Sequence, residues 1–146
     1  MMSTIQQTRP TPTLPTAAVP SNALELLASA QRSLLDATLS PDANQRYAAA
    51  HVCALRAAAA VVATRTRPNR RRQRIRSVWD LLASVAPEFG EWATFFAAGA
   101  RKRAAAEIGL PTVTTREADD LLRDADVFLG RVCSTLGVPQ QLLATG

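Results

Sequence analysis

The chain has 146 residues, is 47% hydrophobic and carries a formal net charge of +5. This length accommodates one globular domain with a hydrophobic core but is short for two. The positive charge is concentrated in residues 65–76, the arginine-rich segment, which contains seven arginines and no acidic residue. Elsewhere acidic side chains outnumber basic ones. Attraction to a polyanion is therefore expected from this segment and not from the whole domain.

The apolar runs are short, and the longest, residues 57–63, falls well below the roughly 18–20 residues that a membrane span requires. No charged and apolar N-terminal pattern of a secretory signal is visible. Cys53 and Cys133 are distant in sequence and lie in apolar helical patterns, so we expect buried thiols and not a disulfide. We expect a cytoplasmic protein without membrane contact.

The N-terminal residues 1–20 contain four prolines and five threonines, a composition that predicts a disordered tail. Leucine spacing then predicts a first helix over about residues 22–39. Asn22 and Glu25 have the spacing of a capping box at its start.

The segment from Ala43 to Thr64 is expected to be the core helix of the fold. The residues Ser40-Pro41-Asp42 before it form a helix-start signal in which the Ser40 hydroxyl is the expected cap, and Pro68 stops the helix. Its apolar stripe recurs at helical spacing, and its many alanines allow neighbouring helices to approach closely. The only histidine of the chain, His51, lies on this stripe.

Three further apolar patterns complete the fold. The first begins between residues 69 and 77, and the second is expected to form one continuous helix that ends at Gly109. The third opens with a capping-box pattern at Thr114 and Glu117 and closes at Gly137. No segment alternates with the period of a strand.

These patterns predict an all-α fold, a four- to five-helix up-and-down bundle with a disordered N-terminal tail. The expected organisation is a tail over residues 1–20, a bundle over residues 21–138 and a short C-terminal tail over residues 139–146.

The sequence offers little for cofactor or metal chemistry. One histidine and two remote cysteines do not have the spacing of a zinc site, and the six single glycines do not form a phosphate-binding loop. We therefore predict no metal and no cofactor. The acidic residues near the start of the last helix form either a solvated, salt-bridged face or a docking face for a partner. They are Glu117, Asp119, Asp120, Asp124 and Asp126.

Arg46 and His51 are the remaining candidates for catalysis. A metal-independent ribonuclease needs a histidine to move the proton of the 2′-hydroxyl and an arginine to stabilise phosphate charge. The alternative interpretation is that His51 is structural, because it shares the packed stripe with Tyr47 and Leu55.

The arginine-rich segment is the candidate nucleic-acid contact, since arginines bind phosphates by charge and release counterions. It contains no aromatic residue for base stacking, so sequence-specific reading is not predicted. The alternative is a solvated connection between helices. The candidate contacts are Arg65, Arg67, Arg70, Arg71, Arg72, Arg74 and Arg76.

Three stretches together resemble the HEPN superfamily, the higher-eukaryote and prokaryote nucleotide-binding helical domains, and more narrowly an actinobacterial HEPN subfamily. They are ANQRYAAAHVCALRAAAAVV, RSVWDLLASVAPEFGEWATFFAAGARKRAAAE and TTREADDLLRDADVFL. The resemblance covers roughly residues 22–137. It implies a four- or five-helix bundle that is often a homodimer.

The resemblance also implies a range of functions, because the superfamily includes metal-independent ribonucleases of toxin and defence systems, partners of nucleotidyltransferases and non-catalytic members. Active members use an Arg-x(4–6)-His motif, which corresponds to Arg46 and His51. Two features differ from that pattern: Tyr47 replaces a polar residue after the arginine, and the motif lies in the second helix. We therefore expect a non-catalytic module that binds RNA, DNA or a protein partner, with a metal-independent endoribonuclease and a nucleotidyltransferase partner or antitoxin-like subunit as alternatives.

Overall fold

The computed structural model describes residues 19–66 and 77–144, which form an all-α bundle as predicted. Residues 1–18 of the predicted tail, Pro68 and most of the arginine-rich segment lie outside the described residues. Within the described ranges the helices are α1 Ser21–Leu39, α2 Ala43–Arg65, α3 Val78–Val85, α4 Gly90–Ala98, α5 Ala100–Glu107, α6 Thr115–Leu136 and α7 Gln140–Ala144, with a 3₁₀ turn at Pro87–Phe89.

Helix α2 lies at the centre of the bundle and packs against α1, α3, α5 and α6. Half of its buried residues are alanines, whose short side chains let the helix backbones approach closely. The fully buried alanines of α2 are Ala50, Ala54, Ala57, Ala58 and Ala60. The prediction that this segment forms the core helix is confirmed.

The helix directions follow from contacts along α2. Helix α1 is antiparallel to α2, since Ser40 contacts Arg46 and Ser33 contacts Arg56. Helix α3 runs in the same direction as α2. Trp79 at the start of α3 packs on His51, and Glu88, which follows the end of α3, pairs with Arg65. Helix α4 returns antiparallel.

An aromatic cluster fills the space between α2, α3, α4 and α6, and the fully buried Phe96 lies at its centre. The rings of Trp79 and Trp92 stack on Phe96 with centroid distances of 5.5 Å and 5.8 Å. Phe128 of α6 lies 5.2 Å from the same ring. The cluster therefore fixes α4 against three neighbouring helices.

The helix caps differ from the prediction at two of three sites. Helix α1 begins at Ser21 with Pro20 as its cap and no side-chain cap, so the predicted Asn22 and Glu25 capping box was wrong. Asp42, and not Ser40, caps α2 by accepting a hydrogen bond from the backbone N–H of Gln45.

Two segments of the backbone also differ from the expected pattern. The helix predicted to run continuously to Gly109 is broken at Gly99 into α4 and α5. The C-terminal segment predicted as a short tail contains α7, which packs on α1 and buries Leu143. Both features depend on tertiary contacts that no local pattern encodes.

Within the described residues, α2 is the one helix long and apolar enough to cross a membrane by length and composition. However, 61% of its most apolar window is buried inside the bundle. That position is the one expected of a core helix in a soluble protein.

The capping box of α6 gives a stability prediction. Thr114 Oγ1 accepts a hydrogen bond from Glu117 N at 3.0 Å, and Glu117 Oε1 accepts one from Thr114 N at 2.9 Å. Thr114→Ala is expected to lower the free energy of unfolding by about 1 kcal/mol, because it leaves a helix N–H group without its acceptor. Denaturant titration measures the change, and Thr115→Ala is the matched control with no cap to lose. Equal stability of the two variants would contradict the assignment.

Candidate functional site around His51

His51 is enclosed by the bundle and has no exposed surface. Its ring packs edge-on against Trp79 of α3 and Phe96 of α4, with centroid distances of 5.9 Å and 6.1 Å. Its Nε2 lies 2.8 Å from the backbone carbonyl oxygen of Phe96. Because a carbonyl oxygen only accepts hydrogen bonds, Nε2 carries the proton and donates.

The surroundings of His51 favour the neutral imidazole. Burial lowers the pKa of His51 below its ordinary value, and the hydrogen bond to Phe96 offsets this only in part. No residue in the described ranges pairs with its buried Nδ1. Proton transfer between Nε2 and a bound substrate would first require Nε2 to release the Phe96 carbonyl.

The break between α4 and α5 lies directly over His51. The N–H of Gly99 donates to the same Phe96 carbonyl, at 3.0 Å, that accepts the bond from His51. A Cβ atom on Gly99 would lie 2.9 Å from Tyr47 Oη and 3.5 Å from His51 Cδ2. A larger residue here would therefore require the Tyr47 hydroxyl to move, because α4 approaches α2 closely. These three residues also line an open cleft of about 410 Å³, with Phe95, Lys102 and Leu121 among its other walls.

Arg46 lies at the start of α2 and is engaged by neighbouring helices. Its Nε donates to the carbonyl oxygen of Ser40 at 3.2 Å, and its Nη1 forms a salt bridge with the Asp119 carboxylate of α6. Its side chain is 19% exposed. Arg46 thus joins the end of α1, the start of α2 and the start of α6.

The structure does not bring Arg46 and His51 together in one protomer. Residues five apart on an α-helix are separated by about 140° around its axis. Accordingly, Arg46 points toward α1 and α6, whereas His51 points toward α3 and α4.

One of the seven candidate arginines for nucleic-acid contact lies in the described residues. Arg65 is exposed at the end of α2 and forms a salt bridge with Glu88 at 2.7 Å. The other six, Arg67, Arg70, Arg71, Arg72, Arg74 and Arg76, lie outside the described residues.

The two thiols are unsuited to nucleophilic chemistry. Cys53 and Cys133 are free and buried, and burial raises the pKa of Cys53 to about 12 and that of Cys133 to about 11. Both therefore stay protonated at neutral pH. Among the described residues, no three metal-ligating side chains lie close enough to hold a metal ion.

Comparison with protein families gives one match. The protein-family model described as HEPN_SAV_6107-like HEPN matches residues 37–133, about two thirds of the chain. The chain belongs to this HEPN family. No curated protein and no solved structure matches it.

The matched HEPN region begins near the end of α1 and ends in α6, so it contains His51, Arg46 and the arginine-rich segment. Membership supports the coarse assignment to a nucleic-acid-related or ribonuclease-like module. The HEPN resemblance noted in the sequence is thereby confirmed.

Sequence reasoning missed three partners that define this HEPN site. Gly99 was not distinguished from other single glycines, and the Phe96 carbonyl is a backbone group that any residue would supply. Asp119 was expected on a solvated or docking face, but it pairs with Arg46 across 73 residues of sequence. Only the tertiary fold brings these groups together.

The buried His51 gives a pH prediction. Burial in the folded HEPN domain lowers the pKa of the ring, whereas the unfolded chain takes up a proton as the pH falls through about 6.5. Stability should therefore be fully present above pH 7 and decrease below it, by up to about 1.4 kcal/mol per pH unit. His51→Gln keeps an N–H donor for Phe96 but cannot titrate, so its stability should fall less between pH 7 and 5. Denaturant titrations at several pH values measure both slopes, and equal slopes would refute the prediction.

The contact at Gly99 gives a second prediction. Gly99→Ala is expected to destabilise the fold by about 1–3 kcal/mol, because the new Cβ overlaps Tyr47 Oη. Tyr47→Phe in the same chain removes the overlapping oxygen and should restore part of the loss. Gly90→Ala is the control, since nothing lies within 4 Å of its Cβ position. Thermal unfolding measures all three, and a Gly99→Ala variant as stable as Gly90→Ala would contradict the close approach.

Proposed function

We propose that this HEPN protein is a non-catalytic module that binds nucleic acid through its arginine-rich segment. The observation that carries the non-catalytic part is the enclosure of His51. The only histidine of the chain is fully buried, and its Nε2 is committed to the Phe96 carbonyl. A general base must come within hydrogen-bond distance of the proton that it removes.

The state of Arg46 supports the same conclusion. A phosphate would have to compete with the Asp119 carboxylate and the Ser40 carbonyl for its guanidinium. These partners join three helices, so their replacement would also cost packing. Arg46 and His51 therefore have sufficient structural roles to explain their presence.

The nucleic-acid part of the proposal follows from charge. The arginine-rich segment holds seven of the seventeen basic residues within twelve positions and no acid. A run of this kind neutralises several phosphates, and counterion release supplies affinity without sequence reading. We further propose a cytoplasmic location, where RNA and DNA are accessible.

Neutralising the segment tests the binding. Arg70, Arg71, Arg72 and Arg74, each replaced by glutamine, should weaken binding to a labelled single-stranded RNA or duplex DNA. The slope of log affinity against log salt should decrease by up to about four, one for each lost phosphate contact. Fluorescence anisotropy over a range of salt concentrations measures both quantities.

The control replaces Arg32 and Arg123, two exposed arginines outside the segment, with glutamine, and should leave the salt slope unchanged. Unchanged binding in the four-arginine variant would remove the segment from the proposal. RNA cleavage in EDTA that His51→Gln abolishes, with the fold retained, would instead establish the metal-independent endoribonuclease.

A further inference from the structure

A second surface groove lies between α4 and α6 and shares Phe95 with the cleft at His51. It has a volume of about 410 Å³ and is lined by Glu91, Trp92, Phe95, Asp124 and Arg131. We call it the α4–α6 groove. The ring of Phe95 is 47% exposed, although the neighbouring Phe96 is fully buried. The exposed part of Phe95 is available for contact with a ligand in the groove.

The charge of the α4–α6 groove is acidic. Glu91 and Asp124 supply two carboxylates, and within the described residues neither has a salt-bridge partner. Asp120 lies one turn before Asp124 on α6, and burial together with this neighbour raises the pKa of Asp124. Arg131 contributes the one positive charge of the lining. The groove therefore favours a cationic ligand and disfavours a phosphate.

The combination of aromatic and acidic walls selects for arginine. A guanidinium stacks on an aromatic face and at the same time pairs with a carboxylate through two N–H groups. Phe95 and Trp92 supply the rings, and Asp124 supplies a carboxylate in the same groove. The complementary ligand is thus an extended, arginine-bearing segment.

We propose that the α4–α6 groove binds the arginine-rich segment of a second copy of this chain. Seven arginines without an acid are the charge complement of the groove. Because the groove and the segment are different surfaces, a single contact is head-to-tail, and two reciprocal contacts make a two-fold symmetric dimer. This association requires no nucleic acid. The proposal can therefore fail while the proposed nucleic-acid binding holds, and the proposed binding can fail while this proposal holds.

Complementation between two full-length variants tests the proposal. The groove variant carries Phe95→Ser and Asp124→Asn, and the segment variant carries glutamine at four arginine positions, Arg70, Arg71, Arg72 and Arg74. Analytical ultracentrifugation should find each variant monomeric at concentrations where the wild type associates. An equimolar mixture should form a 1:1 complex, because one partner supplies the segment and the other the groove. This complex should dissociate as salt is raised.

The control variant carries Leu35→Ser and Asp36→Asn, which make the same kinds of change at exposed positions of α1. It should associate within twofold of the wild type, and thermal unfolding should find all variants folded. A monomeric wild type, including one whose segment occupies its own groove, would overturn the proposal. Wild-type association by the groove variant alone, or a mixture that stays monomeric, would overturn it as well.

Discussion

The close approach of neighbouring helices to the alanine-lined face of α2 is the constraint on which the rest of the structure depends. Alanine at positions such as Ala54 and Ala58 leaves no side chain beyond Cβ to separate the backbones. A larger side chain on this face is consequently removed from water, and any polar group that it carries needs a hydrogen-bond partner in the protein. His51 is the one polar side chain of α2 in that position among the described residues.

The hydrogen bond from His51 to the Phe96 carbonyl satisfies a buried donor of α2. The buried imidazole requires an acceptor for its N–H, and the Phe96 carbonyl near the end of α4 accepts this bond in addition to the one from the N–H of Gly99. The break at Gly99 supplies that helix end and lets Tyr47 and His51 lie beneath it. In this HEPN protein the histidine is thus part of the helix packing, while the features suited to binding lie at the surface.

How much the sequence could predict depended on the range of the interactions. Periodicity identified α2 and the Thr114 capping box, because both are local patterns of spacing. The sequence did not determine whether His51 is buried, because an apolar stripe does not reveal which helix packs over a given residue. The pairing of Arg46 with Asp119 and the break at Gly99 depend on chain segments far apart in sequence. Local sequence signals therefore predicted the helices, whereas tertiary contacts determined the surroundings of Arg46 and His51.

The most direct test of this account is the protonation state of His51, measured by ¹⁵N NMR of the imidazole. The chain contains a single histidine, so its signals are unambiguous. The account predicts a ring whose pKa lies below its ordinary value, with the proton of the neutral form on Nε2, unchanged when a single-stranded RNA is added at saturating concentration. A ring that titrates near its ordinary pKa of about 6.5 and whose signals shift on RNA binding would contradict it.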